Sequence, residues 1–182
     1  MYACRRAFRL LLTAAVAAAL VPARAAAQAA PATPGCPAPE HRQFDFWVGH
    51  WDVRMPDGRL AGTNHIERAL DGCALVERWT GAGLSRGLSI NFYDAAAGRW
   101  RQSWIDNQGQ PLLLAGGLRD GRMVLESALP DSAGRGGAAP AARQRVTWTP
   151  LPGGDVRQLW ESSTDGGATW RAVFDGRYTR RP

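Results

Sequence analysis

The chain has 182 residues, 22 basic and 16 acidic side chains, a formal charge of +6 and eight tryptophans. Every basic residue is Arg, and the arginines stand singly among acids instead of forming a stripe, which argues against a nucleic-acid-binding face. No phosphate-loop, nucleotide or metal-ligand motif is present, and no cofactor is expected.

The first segment reads as a targeting signal. Arg5, Arg6 and Arg9 precede an apolar run from Leu10 to Leu20, and Pro22 and the string Ala25-Ala26-Ala27 follow. A basic start, a short apolar core and an A-x-A exit define a secretory signal peptide, placed over 1–27 with cleavage before Gln28. The run is shorter than the roughly 20 residues of a membrane span, so no span is expected after cleavage. Cys4 precedes the apolar core, which excludes a lipoprotein signal. Export to the periplasm or the medium is the expectation. Removing Arg5, Arg6, Arg9 and Arg24, with no acid among 1–27, lowers the formal charge from +6 to +2.

Residues 28–41 are Ala/Pro-rich and are expected to form a flexible leader. Cys36 and Cys73 remain after cleavage, and an even pair in an exported protein points to a disulfide. A loop of roughly 36 residues is valued at about 3–4 kcal/mol in the chain-entropy model. Two free buried thiols are the alternative.

Residues 42–180 form a single domain holding all eight tryptophans. Short alternating runs recur between turn signals such as Asp57-Gly58, Asp71-Gly72, Gln108-Gly109, Asp120-Gly121 and Asp165-Gly166-Gly167. Ten strands are predicted: 44–55, 59–70, 74–80, 84–94, 99–106, 111–118, 122–129, 143–149, 155–163 and 168–178. Residues 130–142 are expected to be a disordered loop. The fold class is all-β, an antiparallel up-and-down barrel of about ten strands of the calycin or lipocalin type, because every connection is local and closure removes exposed edges. A two-sheet sandwich is the alternative.

Turn geometry assigns faces. Two-residue loops at Asp57-Gly58 and Asp71-Gly72 pair Pro56 with Arg59, Trp51 with Asn64, Gly49 with Ile66, Ile66 with Glu77 and Asn64 with Trp79. Paired residues share a face. The Trp-rich face is taken as the interior, and it includes polar residues: Asn64, Arg68, Glu77, Asn91, Gln102 and Gln158. Inward polar groups cost about 1–3 kcal/mol each if unsatisfied, so they imply a closed hydrogen-bond network or a ligand cavity. The expected binding residues are Trp51, Asn64, Arg68, Glu77, Trp79, Asn91, Tyr93, Gln102, Trp104, Gln158 and Trp160. Arg68 and Glu77 sit diagonally across one hairpin and are expected to pair.

Three motifs resemble chemical signatures. Gly83-Leu84-Ser85-Arg86-Gly87 matches a nucleophile elbow, but no His follows it and a strand pattern does, so it is a glycine-rich turn. Ser163-Thr164-Asp165-Gly166-Gly167-Ala168-Thr169-Trp170 has the Asp-box pattern and marks a hairpin. His50 opposes His65 near Asp52 and Glu67 on the outward face, where a solvated pair is favoured over a zinc site.

The strings FDFWVGHWDV, DGCALVERW, LSINFYD, WRQSWID and VRQLWESSTDGGATW together resemble an exported bacterial family catalogued as a domain of unknown function, allied to the calycin barrels. The resemblance implies a fold and a cavity and no particular activity. Family members carry an acid where His50 stands, which argues against a shared metal site there. The neighbouring nitrobindins hold haem through a late histidine, and no histidine follows His65 here. The expected partner is therefore a small, partly apolar molecule bound in the barrel. An enzyme using Glu77 as general acid/base, or a filled barrel acting through its surface, are the rivals.

Overall fold

A computed structural model describes residues 35–127 and 142–181. The expected signal peptide, the leader before Gly35 and residues 130–141 of the expected loop lie outside the described residues. Ten antiparallel strands run up and down: β1 Gly49–Arg54, β2 Leu60–Ala69, β3 Ala74–Gly81, β4 Arg86–Asp94, β5 Arg99–Asp106, β6 Pro111–Arg119, β7 Arg122–Glu126, β8 Arg143–Pro150, β9 Val156–Ser163 and β10 Arg171–Arg180. Each strand pairs with its sequence neighbours, and β1 pairs with β10 through Trp51–Arg180 and Val53–Tyr178. That seam closes a barrel and excludes the sandwich. Among the described residues, no helix is long and apolar enough to cross a membrane.

The register follows the turns, with one correction. At Asp71-Gly72 both residues take positive φ, 53° and 87°, and Ile66 pairs with Glu77 and Asn64 with Trp79, as the two-residue turn requires. Between β1 and β2 the loop is longer: Met55 N donates to Arg59 O at 2.9 Å, so Pro56 is not paired with Arg59. The register then shifts between Val53 and Arg54, leaving Ala61 as a bulge, and Trp51 still meets Asn64. The Gly83–Gly87 stretch is the β3–β4 turn and the start of β4.

The largest departure lies before β1. Residues 44–48, expected to open the first strand, instead include a 3-10 turn at Asp45–Trp47, and Pro39–Arg42 forms another. Phe44 and Trp47 are three residues apart, the spacing that a 3-10 turn places on one side. Both are fully buried, stacked at 4.9 Å, and Phe44 also meets Trp100 at 5.6 Å and Trp148 at 5.0 Å. They plug one end of the barrel. Full burial of each large apolar side chain is worth about 1.5–3 kcal/mol, more than an exposed first strand turn could recover.

This plug is tied down. Cys36 and Cys73 form a disulfide with Cα atoms 4.9 Å apart. Arg42 donates to Cys36 O and Gly72 O, each at 3.0 Å. A Cβ at Gly72 would collide with that guanidinium, and its φ of +87° already favours glycine. Residues 36–41, expected to be flexible, are thus anchored. At the β9–β10 hairpin, Asp165 accepts from the Thr169 hydroxyl at 2.5 Å, Thr169 N at 2.9 Å and Ser163 Oγ at 2.7 Å. These bonds, the Thr169 hydroxyl foremost, hold its carboxyl well below the usual carboxylate range.

Candidate functional site

Opposite the plug, the barrel opens into a cavity of about 330 Å³. Its lining comes from seven of the ten strands, β2, β3, β5, β6, β8, β9 and β10, and from the β3–β4 turn, because alternation points every second residue inward. The walls are Trp79, Trp104, Leu112, Val146, Trp160 and Phe174, with the bulged Ala61 near the rim. Trp79 meets Phe174 edge-on at 6.1 Å, and Trp160 is held by its Nε1 donating to Gln144 Oε1 at 2.7 Å. Trp104 lies across Gly87 of the neighbouring strand, where a Cβ would overlap the indole ring.

Polar groups reach the cavity from its inner end: Glu77, Gln102, Gln158 and Tyr178. Glu77 Oε1 accepts from Asn64 Nδ2 at 2.7 Å, and Oε2 accepts from Ser89 Oγ at 2.6 Å. Asn91 Nδ2 donates to Ser89 Oγ at 2.8 Å, and Asn64 Nδ2 also approaches the Tyr178 hydroxyl at 3.3 Å. Tyr178 in turn donates to Gln158 Oε1. One connected network therefore spans β2, β3, β4, β9 and β10. It leaves Asn64 Oδ1 and Asn91 Oδ1 without partners.

Burial dominates the electrostatics here. It pushes the Glu77 carboxyl up to about 7, against the opposing effect of the Ser89 and Asn64 hydrogen bonds. Burial, and secondarily the Glu77 charge, raises the Tyr178 phenol well above its ordinary value, which keeps it a neutral donor. A carboxyl poised near neutrality can accept a hydrogen bond, donate one, pair with a cation or transfer a proton.

The expected Arg68–Glu77 pair does not form. Arg68 lies at the plug end, where Nη2 is 2.5 Å from Asp45 Oδ2 and Nε donates to Asp45 Oδ1 at 3.1 Å, with the side chain about half exposed. The 3-10 turn that carries Asp45 creates this partner, and a strand over 44–55 would not. Of the other expected residues, Glu77, Trp79, Gln102, Trp104, Gln158 and Trp160 line the cavity. Asn64 and Asn91 stand behind it as hydrogen-bond partners. Trp51 is packed at the plug, its Nε1 donating to Trp47 O at 2.9 Å under the Arg180 guanidinium. Tyr93 sits edge-on to His41 at 5.4 Å, also away from the cavity. Parity placed these side chains inside, but it carries no information about depth along the axis.

The structure adds Tyr178, Phe174 and Asp106 to the cavity lining and Ser89 to the Glu77 network, beyond the residues expected from the sequence. Phe174, Gly176 and Tyr178 alternate in the string FDGRY, and that pattern was the available signal. On the outer face His50 and His65 stack at 3.9 Å, while Asp52 turns to Arg181 at 3.2 Å and Glu67 to Arg78. No group of three or more metal-ligating side chains is assembled among the described residues. The chain matches no protein-family profile and no curated protein.

Proposed function

We propose that this chain is an exported small-molecule binding protein that holds a partly apolar ligand in the barrel cavity. The observation that carries the reading is the division of the interior. One half is filled by Phe44, Trp47, Trp100 and Trp148, and the other keeps about 330 Å³ walled by aromatics with convergent polar groups at its base. A barrel stabilised only by its core has no need of that second half, and an apolar pocket with a few placed polar groups is the usual form of a small-ligand site. The Cys36–Cys73 disulfide supports an oxidising compartment. Membership in the exported bacterial family that the sequence resembles belongs to the same proposal.

Native mass spectrometry of the protein recovered from the extracytoplasmic fraction of producing cells tests it. A bound mass released on denaturation is expected, and bare protein under gentle conditions refutes the reading. The second reading is an enzyme using Glu77 as general acid/base, favoured by a cavity-lining carboxyl at about 7. It requires that the released molecule be chemically altered when fresh ligand is supplied, and that Glu77→Gln abolish the alteration while binding persists.

A further inference from the structure

We infer that the cavity selects an organic cation, with an ammonium-type head on Glu77 and an aromatic body among Trp79, Trp104, Trp160 and Phe174. The inference rests on the cavity-binding reading above and adds the charge class of the ligand.

The first observation is a buried carboxyl with no cation beside it among the described residues. Both Glu77 oxygens are held by neutral donors, Asn64 and Ser89. The arginine that the strand register brings nearest, Arg68, is engaged by Asp45 at the far end. Among the described residues, the groups facing the cavity include no Arg and no His, in a chain with 22 basic residues. The other titratable groups that face it are Asp106 on β5 and Tyr178 on β10. From β2, β4 and β9 the groups offered are the neutral Asn64, Ser89 and Gln158. Arg86 Nη1 donates to the carbonyls of Gly81, Gly83 and Ser85 beside the mouth, and Arg86 itself is not among the groups that line the cavity. Any formal charge inside is therefore negative.

The second observation is the walls. Indole and phenyl faces carry negative charge and attract cations, most strongly when water is excluded. Elsewhere this chain stacks arginines on tryptophan: Arg145 lies 4.0 Å from the Trp170 ring centroid and Arg180 4.4 Å from that of Trp51. The cavity tryptophans Trp79, Trp104 and Trp160 have no such arginine among the described residues. A ligand cation completes both deficits at once. An anion meets Glu77 and Asp106, and a neutral body leaves the carboxyl uncompensated. Binding of a cation below neutrality also displaces the Glu77 proton, so R–NH3⁺ and the carboxylic acid give the ion pair and one proton to solvent.

Three probes of one shape decide the matter by calorimetry on the purified, oxidised protein: tryptamine, tryptophol and indole-3-propionate, which share the indole and the two-carbon arm. With Glu77 titrating at about 7, ionisation rises from about 3% near pH 5.5 to about 97% near pH 8.5. Tryptamine is expected to bind at least about tenfold more tightly than tryptophol near pH 8.5 and to lose about tenfold or more near pH 5.5. Tryptophol should hardly respond, and indole-3-propionate should bind weakest. In Glu77→Gln, tryptamine loses its advantage at both pH values. If that variant does not fold, the pH series on the unaltered protein decides alone. Tryptophol or indole-3-propionate bound as tightly as tryptamine overturns the inference and leaves the cavity reading standing. So does an amine preference that ignores pH or survives in Glu77→Gln. If none of the three binds, the inference falls, and the native mass measurement separately decides whether the cavity reading falls with it.

Discussion

Replacing Glu77 by Gln should stabilise the protein above neutral pH and slightly destabilise it in acid. The carboxyl has an ordinary value of 4.5, is raised to about 7 in the fold and is 3% exposed. Between those two values the unfolded chain has released its proton while the native protein keeps it. The native state then binds more protons, so stability falls as pH rises through the window and levels off above about 7. A shift of roughly two to three units corresponds to about 3 kcal/mol at 1.36 kcal/mol per unit. Gln carries no such penalty but fits the Asn64 and Ser89 donors less well, at a cost of about 1 kcal/mol. The difference between variant and parent should therefore move from about −1 kcal/mol near pH 4.5 to about +2 kcal/mol near pH 8. Urea unfolding of both proteins across that range, oxidised and without added ligand, gives the difference directly. A flat difference, or a parent that gains on the variant as pH rises, would mean that a cation compensates Glu77 and that the electrostatic account of the cavity is wrong.

Thiol labelling of the denatured, unreduced protein should find neither Cys36 nor Cys73 free, and replacing both with Ala should cost about 3–4 kcal/mol in chemical unfolding. Arg68→Ala and His50→Ala, both outside the cavity, should leave affinity for the retained molecule unchanged in a titration, with stability within about 1 kcal/mol of the parent. Gly87→Ala should drive Trp104 off its seat, weakening ligand affinity and costing about 1–3 kcal/mol in a thermal melt. Unchanged binding there would show that the Trp104 wall is not used.

What could be read from the residues was the pairing, and what could not was the third dimension. Asp71-Gly72 fixed the β2–β3 register because positive φ at two successive positions admits one tight turn. That register correctly put Asn64 and Glu77 on the inner face with Trp51 and Trp79. At Asp57-Gly58 the loop is one residue longer than the two-residue turn expected, yet the Ala61 bulge restores the register and the same residues face inward. Around Phe44 and Trp47 the aromatic-acid-aromatic alternation suits a strand as well as a 3-10 turn, and only the tertiary vacancy at the barrel end favours the turn. The Arg68–Glu77 pair failed for the same reason, since Asp45 became available only through that turn. Cavity depth is a property of the closed cylinder, which no single hairpin contains.

Nine of the ten hydrogen-bonded seams join strands adjacent in sequence, and the tenth joins β1 to β10. Closing that seam brings the two ends of the domain together and carries the largest loop-closure entropy of any pairing. Contacts of such long range form late, so the β1–β3 hairpins and the Cys36–Cys73 bridge, all from the early part of the chain, can assemble while β10 is still free. By the same reasoning the seam should part first, with amide exchange faster there than at the other paired strands. A parted seam bares two unpaired strand edges, which are templates for joining a second chain. In the closed seam Arg54 lies opposite Arg177, whose guanidinium Asp155 engages at 2.8 Å, and Arg181 reaches Asp52 of β1 at 3.2 Å, so closure covers both edges and places each of these arginines beside an acid or its strand partner.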